Sequence, residues 1–552
     1  MCKQLMKSAA VLVIFLGYFS MLNTPAAYAQ EDVPAGVIIR SITIKNTNIF
    51  DQSKDSETGF LYRAANGLHR KTRDVAVSGL LLFREGEELS QRLLDESERK
   101  LRSAGYIRSA KITYTQEENF ADVLIVVSDT WTTKPIFRYS HKGGDESSEM
   151  GLQEDNFLGY GIELSLLYKN EDNRKSTIVS MFDPNLRGTR HQLGIGFANS
   201  SDGYTNHVSF AKPFYELNSR ASHGMSIFQE ERTENLYFLN AEYFQYQLEE
   251  QNFDFYRGWS NGLIETKTIR HRLGIKYLAT TNTEIGEQPT DIPEDIAAYI
   301  SANDMLPEDQ KDVLPYYEFE YLTDKYLKTE NYDKIGLTED IPIGLNGRVK
   351  IGYSAQEWGS SQNRWYLDAS LSDVFSISDK ASVSISGALK TWADESGLDD
   401  SRSTLKLQLR VNESHRLKLF AEYVQVDLIH PSKGEKLYLG GDNGMRGYPT
   451  RHLSGEHSQL FRIEQRLYTG IELFGLFNIG AAAFYDYGRV RGGTPFDRLQ
   501  NSHSVESFGI GLRAANSRTS SGEIIHIDIA KALARDDGVD EFQLVIEARR
   551  QF

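Results

Sequence analysis

The amino-acid sequence predicts a mainly β protein, a transmembrane antiparallel β-barrel of about 16 strands preceded by a small α+β domain. Two observations carry the barrel. Segments of alternating apolar and polar residues recur from residue 136 to residue 552, separated by turn residues. The mean hydropathy of -0.45, with no helix-length apolar run after the N-terminus, fits strands that give only every second residue to lipid. A third observation separates off the α+β domain: before residue 130 strand and helix periods mix.

Residues 1–29 have the pattern of a secretory signal peptide. Lys3 and Lys7 make a basic start, Ala9 to Tyr18 an apolar core, and Ala27-Tyr28-Ala29 a small-x-small cleavage site before Gln30. The apolar core is shorter than the roughly 18 residues that span a bilayer. Cys2 is the only cysteine and lies inside this segment, so the mature chain is expected to have no thiol, disulfide or thiolate metal site. The net charge of -16 argues against nucleic acid as a partner.

The α+β domain is expected over residues 36–130. Val37 to Ile44 reads as a strand, residues 51 to 76 are polar and loosely patterned, and Arg84-Glu85-Gly86-Glu87 is a turn. Ser90 opens a helix to Arg102 with Leu93, Leu94, Ser97 and Leu101 on one face, and Gly105 ends it. Two strands follow, Ser109 to Thr115 and Ala121 to Val127. Trp131, in the link to the next domain, fits either a membrane interface or packing between domains.

Residues 136–552 form the expected barrel. Leu193, Ile195 and Phe197 alternate with polar residues, as do Val349, Ile351 and Tyr353, Val383 and Ile385, and Leu405 to Val411. Turns are read at Asp183-Pro184-Asn185, Leu186-Arg187-Gly188, Asn346-Gly347 and Asp537-Gly538. Spanning strands need about 9–11 residues, which gives room for roughly sixteen. The acidic, helical-looking stretch 284–331 reads as an extracellular loop insertion, either a partner-binding segment or a solvated cap. The 29 tyrosines and 28 phenylalanines suit interfacial girdles.

Within this half, Gly440 to Pro449 is a glycine-dense turn carrying one cation, Arg446. Glycine lets the backbone pass where a side chain would clash, and Pro449 fixes the exit, so the segment can aim its guanidinium in one direction. In the last strand, Phe542, Leu544, Ile546, Ala548, Arg550 and Phe552 share a face.

Several motifs resemble one family. Phe83-Arg84-Glu85-Gly86, Leu94-x-Glu96-Ser97-x-Arg99-x-Leu101-Arg102 and Gly105-Tyr106-Ile107 resemble the POTRA module, the periplasmic domain of the outer-membrane assembly factor superfamily of BamA/TamA type. Asn156-Phe157-Leu158-Gly159-Tyr160-Gly161 resembles the early-barrel signature of the same superfamily with its surface-antigen barrel. Met445-Arg446-Gly447-Tyr448 resembles its lumen-loop signature, with Met in place of Val, and Phe484-Tyr485-Asp486-Tyr487-Gly488-Arg489-Val490 its late-strand motif. The resemblance implies a loop folded into the lumen, in which Arg446, with Gly447 and Tyr448, meets acidic residues of the wall, Asp486 first and Glu464 next. It also implies that the aromatic end, Phe552, acts as a barrel-assembly signal, although Arg550 departs from that pattern.

No Gly-x-Ser-x-Gly, His-Glu-x-x-His or phosphate-binding glycine loop is present. The resemblance therefore implies a non-enzymatic protein without cofactor or metal in the outer membrane of a Gram-negative bacterium, its POTRA-like domain in the periplasm. Its partners would be outer-membrane lipid, unfolded outer-membrane or secreted polypeptides, and periplasmic partner proteins. It would insert or translocate those chains; the alternatives are a two-partner-secretion pore for one dedicated substrate and a passive porin or receptor barrel.

Overall fold

In the N-terminal part, apolar residues at alternate positions form strands whose inner face meets an amphipathic helix. A computed structural model describes residues 36–50, 59–171, 173–238, 241–286, 288–290, 292–494, 497, 504–520, 522–533 and 538–549. The predicted signal segment 1–29, Arg550 and Phe552 lie outside them. Strand β1 (Ile38–Thr47), helices α1 (Phe60–Leu68), α2 (Asp74–Ser78) and α3 (Gln91–Ser103), and strands β2 (Ile107–Glu117) and β3 (Phe120–Asp129) follow in order. The sheet order is β1-β3-β2, with β1 parallel and β2 antiparallel to β3. Ala121, Val123, Ile125 and Val127 are buried against Leu94 and Leu101 of α3. Ser97 is buried as well, its hydroxyl accepting the Leu82 N–H at 3.0 Å. Ser90 stands at the helix start but makes no side-chain capping bond. The polar stretch 51–76 holds α1 and the start of α2, which its weak periodicity concealed.

The barrel then runs through β4 (Thr133–Lys142), β5 (Asp145–Phe157), β6 (Ile162–Asn170), β7 (Lys175–Asp183), β8 (Gln192–Ser200) and β9 (Gly203–Lys212). The tall strands β10 (Ala221–Phe238), β11 (Ala241–Ile264) and β12 (Lys267–Glu284) follow, then helix α4 (Glu294–Ala302) and β13 (Gln310–Thr323). A separate hairpin, β14 (Tyr326–Glu330) and β15 (Thr338–Pro342), precedes β16 (Asn346–Ser354), β17 (Arg364–Ser378), β18 (Ala381–Ala393), β19 (Leu398–Asn412) and β20 (Leu417–Ile429). Two short strands, β21 (Leu437–Leu439) and β22 (Leu453–Gly455), bracket the glycine-rich turn. The wall closes through β23 (His457–Leu473), β24 (Phe477–Arg491), β25 (Val505–Asn516), β26 (Ile524–Ala532) and β27 (Phe542–Arg549). Consecutive wall strands are antiparallel, and β27 returns to β4.

The described residues thus contain a closed barrel of 20 strands, not about 16. The lower number assumed generous connections. Several turns take only two residues, as at Gly143-Gly144, Glu265-Thr266 and Asp379-Lys380, which leaves chain for more strands. The stretch 284–331 is also not one loop. Its first part holds α4, but Gln310–Thr323 is a wall strand paired with β12 and β16. Asn346-Gly347, read as a turn, begins β16. On the outside, Leu152, Leu166, Phe197, Ile351, Ile510 and Ile529 are exposed, an apolar band of the kind that faces hydrocarbon. Closure gives every wall strand a neighbour on each side, as strands in hydrocarbon require.

The α+β domain stands at one mouth of the barrel. Arg102 Nε and Nη2 donate to Asp340 Oδ2 and Oδ1 at 2.8 and 2.7 Å, and Lys328 Nζ reaches Glu98 Oε1 at 2.8 Å. Arg73 lies 4.5 Å over the Tyr160 ring and donates to the Leu158 carbonyl at 3.0 Å. Gly161, at φ +72°, leaves no room for a Cβ because the Tyr106 ring packs on it. Trp131 packs edge-on to Phe50 and its backbone N–H donates to the Arg518 carbonyl at 2.9 Å, which puts it in the domain-barrel junction.

Candidate functional site

The connection from β20 to β23 leaves the far mouth of the barrel and turns back into the lumen. Its geometry begins with glycine: Met445 N–H donates to the Gly440 carbonyl at 2.9 Å, and Gly447 adopts φ +87° with Ala530 of the wall where a side chain would point. Tyr448 and Met445 are fully buried with Leu439, Leu460 and Val490. The Tyr448 hydroxyl donates to the Glu506 carbonyl at 2.7 Å. Thr450 N–H donates to the Gly143 carbonyl at 2.9 Å, so the loop also touches the β4–β5 turn.

Arg446 is thereby held 1% exposed in the lumen. Its Nε and Nη2 donate to Asp486 Oδ2 and Oδ1, both at 2.7 Å, and its Nη1 donates to Glu464 Oε1 at 2.8 Å. A planar guanidinium and a carboxylate pair in this bidentate way more strongly than neutral groups do. The structure thus brings Arg446, Gly447, Tyr448, Asp486 and Glu464 together. Four further participants were given no role at this site from the sequence. Asp528 Oδ2 lies 3.4 Å from Arg446 Nη1, Arg513 pairs with Asp528, and the Phe484 ring lies 3.4 Å beneath the guanidinium. A signal for Asp528 exists: it alternates with Ile525, Ile527 and Ile529, so it must face inward where they face outward. Arg466 completes the set, its Nε donating to Glu464 Oε2 at 3.1 Å.

The opposite mouth is narrowed by the β14–β15 hairpin and the turn between its strands. Arg410 Nη2 donates to Asp333 Oδ1 at 2.6 Å, and Lys418 Nζ to the Asn331 carbonyl at 2.7 Å. Ile335 is buried against Tyr468, Ala482, Ala515 and Ile524 of the inner wall. Glu339 holds the turn by accepting the N–H groups of Tyr332 and Asp333 at 2.7 and 3.0 Å. A cavity of about 610 Å³ remains beside it, lined by Arg410, Lys418, Phe420, Tyr332 and Tyr468 among others.

The junction of β27 with β4 is the third feature. Among the described residues its backbone register consists of Ile546 opposite His141, whereas β26 and β27 pair continuously from Ile524↔Arg549 to Lys531↔Phe542. Side chains bridge the junction: Lys142 Nζ meets Glu547 Oε2 at 2.8 Å, and Arg138 Nε meets Glu523 Oε1 at 2.7 Å.

The chain matches no family model and no curated protein. Among solved structures it is similar to BamA from Haemophilus ducreyi lacking POTRA domains 1–3, at 12% identity and a TM-score of 0.40, covering 94% of this chain and 86% of that one. It is similar as well to CdiB from Escherichia coli, at 9% identity and a TM-score of 0.44, covering 95% and 93%. The FrpB iron transporter of Neisseria meningitidis also matches, at 7% identity and a TM-score of 0.38, covering 80% and 79%. Likenesses this distant carry no functional argument, so the reading below rests on the geometry.

Proposed function

We propose that the protein is an outer-membrane barrel that handles polypeptides. Its α+β domain takes up an unfolded chain, and the barrel passes that chain into the membrane at the β27–β4 junction or through the lumen. One observation carries this reading: the barrel is obstructed from both ends by its own loops, while among the described residues one wall junction, β27 with β4, has almost no backbone pairing. A passive pore would need neither the obstruction nor the domain. Strands β1 and β2 are the edges of the domain sheet, and an edge can accept an added strand through main-chain hydrogen bonds, a mode that tolerates many sequences. The resemblance of that domain to POTRA modules supports the same role.

The test uses the absence of other cysteines from the mature chain. His141→Cys with Ile546→Cys is oxidised to close the junction, and assembly of a reporter barrel into vesicles is followed by its heat-modifiable migration. Arrest on oxidation with recovery on reduction is expected. Unimpaired assembly by the oxidised protein rejects membrane insertion at the junction. Continued export of one partner with the junction closed would identify dedicated secretion through the lumen instead. Deletion of residues 36–130 is expected to abolish client handling while ion conductance persists.

A further inference from the structure

One cross-strand row on the outer face of β8 to β11 is cationic. Lys212 of β9 stands opposite His223 of β10, and His223 opposite Arg257 of β11. His191, just before β8, completes the row with its ring 5.4 Å from that of His223. The alternation fixes their direction. Lys212 shares its face with half-buried Phe210 and exposed Val208, His223 with Met225 and Ile227, and Arg257 with Phe255 and Phe253, the last four exposed residues of the apolar band.

Such a row is costly by itself. Directly opposed side chains on neighbouring strands stand about 4.5–5.5 Å apart at Cβ, and like charges there repel. His223 stands between Lys212 and Arg257 on the neighbouring strands and faces the His191 ring. Among the described residues neither Lys212 nor Arg257 has an ion-pair partner. The inward-facing cations of adjacent strands are treated differently, since Arg270 meets Glu320 at 3.3 Å and Arg272 pairs with Glu318. The outward row therefore lacks an anion.

Its height on the wall says what kind. Lys212 ends β9, and a few residues later Lys100 of α3 donates to the Tyr215 carbonyl and the Leu217 N–H donates to Glu96. The row thus lies where the apolar band gives way to the space occupied by the domain. Aromatic rings mark the same level. Phe210 stacks on His191 at 5.2 Å, and Trp259 on His271 at 5.4 Å.

We propose that His191, Lys212, His223 and Arg257 bind the phosphate headgroup of an anionic phospholipid in the leaflet on the domain side, its acyl chains lying along Phe210, Met225 and Phe255. The lysine supplies a point charge and the arginine a fork for two phosphate oxygens. A free phosphate ion would satisfy the cations but leave the adjoining apolar face unused, which selects lipid. The proposal rests on the reading of the apolar band as lipid-facing. Failure of the protein to enter vesicles of any composition would sink that reading, whereas the tests below concern the headgroup alone.

The full-length protein is extracted from vesicles of equal parts phosphatidylglycerol and phosphatidylcholine, and retained lipid is counted by native mass spectrometry. Retention of phosphatidylglycerol about 25-fold over phosphatidylcholine is expected, since Lys212 and Arg257 each contribute on the order of a factor of five near a membrane surface. In Lys212→Gln/Arg257→Gln the preference is expected to disappear, while Lys212→Arg keeps it. Added salt should weaken it in the unaltered protein, a reading that needs no variant. Equal retention of both lipids, a preference untouched by the double substitution, or one insensitive to salt overturns the proposal. Complete displacement of lipid by inorganic phosphate would make this an ion site and overturn the lipid assignment.

Discussion

Arg446 is buried among three carboxylates and above an aromatic ring, so its value lies in what its removal leaves behind. Arg446→Ala strands Asp486 and Glu464 in the lumen without their central cation, leaving Arg462, Arg466 and Arg513 nearby. Breaking a buried pair from one side costs about 3–5 kcal/mol, and a drop of that order in barrel stability is expected from urea titration of refolded protein. Arg446→Lys keeps the charge but loses the bidentate fork, so it should recover only part. Arg446→Glu is expected to be partly rescued by Asp486→Arg; a double variant as unstable as the sum of the singles would reject the pairing. Lys100 makes a second residue-scale case. Burial, with Arg190 and Arg270 alongside, outweighs the attraction of Glu96 and Glu216 and brings its ammonium down to about 8. Above that pH the docked domain holds fewer protons than the undocked one, in which lysine titrates near 10.4. Docking should therefore strengthen as pH rises from about 8 to 10 and be level below it. Fluorescence transfer between labelled domain and barrel measures this, and Lys100→Met should abolish the dependence.

At the scale of elements, the β14–β15 hairpin decides whether the domain-side mouth is open. It is held from the barrel by Arg410 and Lys418, and from the domain by Arg102 and Glu98. Charge-assisted hydrogen bonds contribute about 1.5–3 kcal/mol each, so Asp340→Ala should raise the released population by roughly tenfold or more. The expected outcome is a larger single-channel conductance in planar bilayers and faster protease cleavage between residues 331 and 337. Arg102→Asp with Asp340→Arg should restore closure. Unchanged conductance in Asp340→Ala would show that the hairpin does not limit the pore. This element was hidden in the sequence because Tyr326–Glu330 and Thr338–Pro342 are short and polar, and the whole of the first was assigned to an extracellular insertion, 284–331.

For the whole molecule, closure of 20 strands, two inward segments and a docked domain act as one arrangement. Asn156 illustrates it: its side chain donates to Thr72 of the domain at 2.9 Å and accepts from Gly161 of the barrel turn at 2.7 Å. A motif read as a barrel signature is also the domain's seat. Asn156→Ala removes the bond to Thr72 and should lower the temperature of domain release more than that of barrel unfolding, as seen by separate calorimetric transitions. The sequence alone determined which residues alternate, hence which face lipid and which face the lumen, because the strand period of two is a local property. It also determined the compact turn around Arg446, since glycine and proline act on their own backbone. Tertiary structure decided the strand number, because closure depends on how little chain the turns consume. It placed Asp528 and Phe484 around the guanidinium, since strands β24 and β26 meet there only after the wall has curved round. And it set the four outward basic side chains of β8 to β11 in one row, because residues as distant in sequence as His223 and Arg257 become neighbours only through register.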